Sequence, residues 1–343
     1  ATTGSAQTCM TLPSVDSGGE SGLIDITLDP NFEQNGNFYL YYTPGSPDTI
    51  RIAQFTHQEN QGGLTSSADP SSETVVWEDG QQSNGHVGGG LDFGPQGALW
   101  LTVGEQHTGG QDPGDSPGNV IRVNPDGSIP TTNPYYNDGD PNTLPEVFAM
   151  GLRNPFTAGW EDIGGDHPRF YIADVGGNQG NDYEEINVLT PQDITNASQN
   201  GDVVNFGWDE CEDAYDNNNY PTPCPIDQRT PFWSYLHTSA DVYTDGSISH
   251  GTIYDGSMFP SEYQGAYFFT DQSRDWMQYM TFHSNGSIDD VQMFDDEVLG
   301  GPIDTEVGPN GALYVAKIAK EQSRFPYIGV EKITYEDPTD TTP

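Results

Sequence analysis

The segment SNGHVGGGLDFGPQGALW (83–100) sets His86 among glycines just ahead of a strand-like run. Glycine lets the backbone approach a ligand closely, and an imidazole there exchanges a proton near neutral pH. His86 is therefore the best general-base candidate of the seven histidines. A histidine in such a turn also serves simply to cap it through a ring nitrogen, and the segment alone leaves both roles open. In EVFAMGLRNPFTAGW (146–160), Arg153 is one of only seven arginines. A lone cation in so acidic a chain either neutralises buried carboxylates or holds an anionic ligand in its planar fork. The stretch ADVGGNQGNDYEEIN (173–187) joins glycine turns to Asp182, Glu184 and Glu185. Hard cations such as Ca²⁺ take about six to eight oxygens from carboxylates and carbonyls, which such a loop supplies. Acid runs occur along the whole chain, so a solvated surface is the competing reading. TVGEQHTGG (102–110), with His107, invites a metal reading, but one histidine and one glutamate do not complete a ligand set. The EF-hand loop, P-loop, HExxH and dinucleotide patterns do not occur.

The elements that must position these residues read as β-strands. The 41 glycines and 26 prolines punctuate short runs rich in Tyr, Phe, Val and Ile, and no stretch keeps a helical period. A turn followed by an aromatic and aliphatic strand recurs in NGNFYLYYT (35–43), GPQGALWLTVGE (94–105), HPRFYIADVG (167–176), YQGAYFFTDQ (263–272) and GPNGALYVAKI (308–318). Strand groups repeating at intervals of tens of residues point to blades around an axis, since each small sheet buries its faces against its neighbours. A β-sandwich would not explain the recurring phrase. The expectation is an all-β chain, a β-propeller over residues 1–335, with 336–343 as a flexible tail. The long acidic loops 106–118 and 209–230 belong at the ends of the channel, where ligands bind.

Charge narrows the partners. The 343 residues hold 52 Asp and Glu against 10 Lys and Arg, a formal charge of −42. Such a surface repels phosphates and anionic lipid, so nucleic-acid and membrane-surface partners are set aside. The acid excess is spread along the whole chain, and a surface of this kind stays hydrated where salt is concentrated, which points to a salt-loving source. No apolar run reaches the ~18 residues of a membrane span, and no signal-peptide pattern opens the chain, so it reads as soluble and mature. Cys211 and Cys224 bracket a polar loop whose length suits a disulfide better than a metal pair, leaving Cys9 over. That pair and the sequons at Asn196 and Asn285 fit an extracellular or cell-surface location.

Taken in order, these segments resemble the soluble glucose/sorbosone dehydrogenase family, also called aldose sugar dehydrogenases. The phrases that carry the resemblance are GGESGLIDITLDPNFEQNGNFYLYYT (18–43), HVGGGLDFGPQGALWLTVGE (86–105), GNVIRVNPDGSIPTTNPY (118–135), GLRNPFTAGW (151–160), DVGGNQGNDYEEIN (174–187) and NFGWDECE (205–212). Each phrase is modest alone; the ordered set is specific.

The resemblance implies a six-bladed β-propeller holding pyrroloquinoline quinone through Ca²⁺. It implies oxidation of an aldose sugar at its anomeric carbon, with an external electron acceptor. In that picture His86 takes the proton of the anomeric hydroxyl and Arg153 stabilises charge on the reduced quinone. Glu20 and Asn154 match cofactor-pocket positions; Gly176, Gly177 and Glu185 match the positions that face Ca²⁺. The chain departs from the family at 300–311, GGPIDTEVGPNG, where arginines for the quinone carboxylates are usual and no cation stands. Arg274 is the candidate to take over part of that work. Phe156 stands where a glutamine is frequent, and Gly85 where some members have an aspartate. Few residues precede the first phrase, so the first blade is expected to be truncated or completed by another strand, with an unpaired edge open to self-association. The competing reading is a propeller without quinone that serves as an extracellular binding or surface-assembly module.

Overall fold

The computed structural model describes residues 8–45, 48–59, 66–80, 83–164, 167–178, 182–217, 219–237, 246–295, 300–318 and 329–335. The tail expected at 336–343 lies outside them. The chain forms two compact units, residues 1–160 with 191–232, and residues 161–190 with 233–343.

In the first unit, strands Leu23–Leu28, Asn37–Tyr42 and Thr49–Glu59 run antiparallel, and Thr49–Glu59 also pairs with Ser66–Ala68 and Thr74–Gly80. The second sheet is the meander Leu91–Phe93, Leu99–Thr102, Asn119–Val123 and Val147–Met150, extended by the parallel strand Val204–Asn205. The sequence NFYLYY explains why the Asn37–Tyr42 strand sits between two apolar layers. Tyr39 and Tyr41 enter a core with Ile50, Leu99, Leu101 and Ile121, while Phe38, Leu40 and Tyr42 pack with Phe55 on the opposite face. Met10, Leu12 and Val15 cover that second face as coil.

In the second unit, Pro168–Asp174, Tyr183–Leu189 and Trp233–Leu236 pair antiparallel. Ile248–Ile253, Tyr267–Asp271, Trp276–Phe282 and Ile288–Asp295 form a four-stranded meander, and Pro302–Val307, Leu313–Lys317 and Gly329–Ile333 a three-stranded one. Tyr254, Phe259, Phe268, Leu313 and Val315 make the apolar layer of this part.

The repeated GPxGAL phrase is one turn built twice. Gly94 N–H donates to Ala98 O at 2.9 Å and Gly97 N–H to Gly94 O at 3.1 Å; Gly308 and Gly311 repeat both bonds at 2.9 and 2.8 Å. Blade-type sheets of an all-β propeller chain are thus present, but the described residues hold five, not six. Among the described residues no sixth is found: 8–22 form no strand, and 124–146, 206–217 and 219–232 are turns and loops with at most two-residue strands. Nor is the first sheet the short one: it has five strands, and the three-stranded sheet is the last. Leu23–Leu28 is an edge strand, and Leu23, Ile26 and Leu28 on it are exposed. Among the described residues no helix is long and apolar enough to cross a membrane.

Candidate active site

The site forms where the hairpin of the second sheet opens. Leu91 pairs with Leu101, and extending that register backward sets residue 86 opposite 106. Gln106 N–H donating to His86 O at 3.3 Å shows that the register holds. The two arms touch backbone to backbone, since a Cβ on Gly104 would lie 2.2 Å from His86 O. Only glycine allows that approach. A Cβ on Gly89 would likewise lie 1.8 Å from Phe156 O, which fixes the HVGGG arm against the strand that follows Asn154. Buried Tyr41 donates its hydroxyl to Val87 O at 2.9 Å and so anchors the same arm from the first sheet.

His86, Gln106 and His107 have φ of 52°, 48° and 65°, in the left-handed region. Each such non-glycine residue costs roughly 1–2 kcal/mol, which the surrounding contacts must offset. The arrangement turns two rings onto one carboxylate. His86 Nδ1 lies 2.5 Å from Glu105 Oε1, and His107 Nδ1 lies 3.5 Å from the same oxygen. The ring centroids are 4.4 Å apart. Glu105 is buried, His86 is mostly covered, and the His107 side chain is 62% exposed. Burial alone would raise the Glu105 carboxyl, but the bonds from His86 and from Gly109 N–H, with the charge of both rings, hold it below its ordinary 4.5.

Three of the other residues predicted from sequence join this place. Glu20 Oε2 accepts from Val87 N–H at 3.2 Å and from Asn154 Nδ2 at 3.3 Å, so one carboxylate ties the 18–22 turn, the His86 arm and the 151–154 turn. Glu105 N–H donates to Arg153 O at 2.8 Å. The Arg153 guanidinium is buried over the Trp208 ring, 5.4 Å from its centroid. Trp208 is held by its N–H to Gly151 O at 3.0 Å and by Gln111 Nε2 to its carbonyl at 2.6 Å. The loop that follows is closed by the Cys211–Cys224 disulfide, as the spacing predicts, and Cys9 stands outside it, exposed.

The remaining predicted residues lie in the second unit. Gly176 and Gly177 are buried, and a Cβ on Gly177 would lie 2.2 Å from Asp182 Oδ2. Buried Glu185 sits opposite Asp174 in the sheet and accepts from Asn187 Nδ2 at 3.0 Å. Arg274 donates through Nη2 to Leu236 O at 2.6 Å and His237 O at 2.9 Å, and lies 4.8 Å above the Tyr235 ring. That much of its fork serves its own unit. Sequence reasoning missed Glu105 and His107 as partners of His86, and Trp208 as the platform for Arg153. The GPQG turn carries the signal for the first pair, because a tight turn there folds 102–107 back beside 86.

The chain is 26% identical over 315 residues to the uncharacterized protein slr1608 of Synechocystis, covering 86% of this chain and 68% of that one. It is 29% identical over 147 residues to the aldose sugar dehydrogenase YliI of Escherichia coli, covering 42% of this chain and 38% of that one. Its fold is shared with the PQQ-bound aldose sugar dehydrogenase of Streptomyces coelicolor, with a TM-score of 0.62 and 20% identity over 90% of this chain and 77% of that one. The family model described as glucose/sorbosone dehydrogenase matches residues 1–324, and the chain belongs to that family.

Proposed function

We propose that the protein is a quinoprotein oxidoreductase that oxidises an aldose sugar at the anomeric carbon, with His86 as base. Family membership and the similarity to aldose sugar dehydrogenases support the reaction class. The observation that carries the assignment of roles is the His86–Glu105 hydrogen bond beside the Arg153 turn.

The residues fit the cofactors in their chemistry. Gly176, Gly177, Asp182 and Glu185 gather buried oxygen donors on one loop and the strand after it, a donor class suited to Ca²⁺. Arg153 is a planar cation suited to a quinone oxygen or carboxylate, and Glu20 and Asn154 line the same turn. When bound, pyrroloquinoline quinone supplies the two-electron acceptor that no protein side chain provides. The chain's own residues manage the proton. The Nδ1 bond to Glu105 turns the other ring nitrogen, Nε2, away from that carboxylate, and Nε2 accepts the proton of the sugar's anomeric hydroxyl. Glu105 fixes the tautomer and stabilises the imidazolium that results, and Arg153 stabilises negative charge beside it. An external acceptor takes the electrons onward. The disulfide supports export to an oxidising compartment, outside the cell or on its surface.

The test is sugar-dependent dye reduction after adding quinone and Ca²⁺ to the purified protein. His86→Ala is expected to lower the rate by about 10²–10⁴-fold, the range for loss of a general base. A wild-type protein that stays silent after reconstitution with a panel of aldoses would overturn the proposal.

A further inference from the structure

The proton-transfer role uses His86 and Glu105 and leaves His107 without a task. Yet His86, Glu105 and His107 bring three ligand atoms within 4.8 Å of one another, and no other such trio of His, Cys, Asp or Glu occurs among the described residues. Two imidazoles and one carboxylate are a donor set that favours zinc-class ions over Ca²⁺ or Mg²⁺. Two ligands on a tetrahedral ion lie about 3.3 Å apart when the bonds are about 2.0–2.1 Å. His107 Nδ1 is 3.5 Å from Glu105 Oε1, long for a strong hydrogen bond and close to that spacing. His86 Nδ1 is nearer, at 2.5 Å, so an entering ion replaces the shared proton and spreads that pair by about 0.8 Å to reach the same spacing.

The supporting shell is present as well. Gly109 N–H holds the second carboxylate oxygen, Oε2, at 3.2 Å. Gly85 leaves room for the outer ring, since a Cβ there would come within 3.1 Å of His107 Nε2. The exposed His107 side gives an ion its way in and a place for water.

We propose that His86, Glu105 and His107 bind a divalent transition-metal ion of the zinc class, and that the bound ion takes His86 out of service as a base. With Nδ1 on a metal, a neutral imidazole keeps its proton on Nε2 and has no lone pair to accept another. The second half rests on the reading of His86 as the base; the site itself does not.

Titrating the purified full chain with Co²⁺ in excess Ca²⁺, followed by visible absorption, tests the site apart from activity, because Ca²⁺ fills exposed carboxylates and not an imidazole pair. The wild type is expected to show one tight site that Zn²⁺ displaces. His107→Ala and His107→Gln are expected to weaken it by about tenfold or more, with unchanged circular dichroism. Equal binding by wild type and both variants would overturn the site and assign the ion to surface carboxylates. In dye reduction, Zn²⁺ is expected to inhibit the wild type at concentrations that fill the site, and His107→Ala to need about tenfold more. Inhibition that His107→Ala leaves unchanged would overturn the link to the base. Tight Co²⁺ binding through His107 in a chain without sugar activity would overturn the proposed reaction and keep the metal site.

Discussion

Glu105 does for His86 what a lone histidine in a glycine turn could not do for itself: it fixes which nitrogen faces outward and stabilises the protonated ring. Replacing it by glutamine keeps the shape and removes the charge. Glu105→Gln is therefore expected to lower kcat in sugar-dependent dye reduction by about tenfold or more, because the ring that receives the proton loses the anion beside it. An unchanged kcat would show that the Glu105 charge does not assist His86. The sign for stability follows from the lowered carboxyl. The contribution of the Glu105 contacts to folding is present above about 4.5 and is lost as pH falls through the folded value. His86 was legible because its neighbours in sequence are glycines. Its partners were not, since they lie 19 and 21 positions away and meet it only through strand register.

Among the elements, the end of the Tyr267–Asp271 strand carries an unusual load. Asp271 is fully buried, accepts from Tyr235 Oη at 2.5 Å and from Arg274 N–H at 2.7 Å, and sits near the buried Glu184–His237 pair. Burial first, and then the Glu184 charge, push its carboxyl from 3.8 up to about 6. A raised acid contributes stability that is present below its unfolded value and lost as pH rises through about 6, so at neutral pH the ionised form weighs against the fold. Asp271→Asn is expected to raise stability at pH ~7.5 by about 3 kcal/mol and to leave it nearly unchanged near pH ~4, read by chemical denaturation. Equal effects at both values would show that Asp271 is neutral throughout. Strands at this scale were legible from aromatic alternation and from the GPxGAL turns. The sheet count was not, because whether a Gly- and Pro-rich stretch such as 124–146 adds strands or stays a loop depends on partners far along the chain.

For the whole molecule the governing quantity is a charge of −42. Its mutual repulsion is screened over about 10 Å at 0.1 M salt and about 3 Å at 1 M. The midpoint of thermal unfolding is expected to rise by about 5 °C or more between about 0.1 M and about 2 M NaCl, and a flat or falling midpoint would count against a saline habitat. Family membership was legible at this scale, because it rests on the order of many short phrases and not on any one contact.

The Cys211–Cys224 tie closes the loop that leaves Trp208, and Trp208 is the surface on which Arg153 lies. That link makes the choice of production host a question of chemistry. A reducing cytoplasm would deliver material of the right mass and sheet content whose arginine platform is untethered, so batches should be assayed for thiols before their turnover is compared.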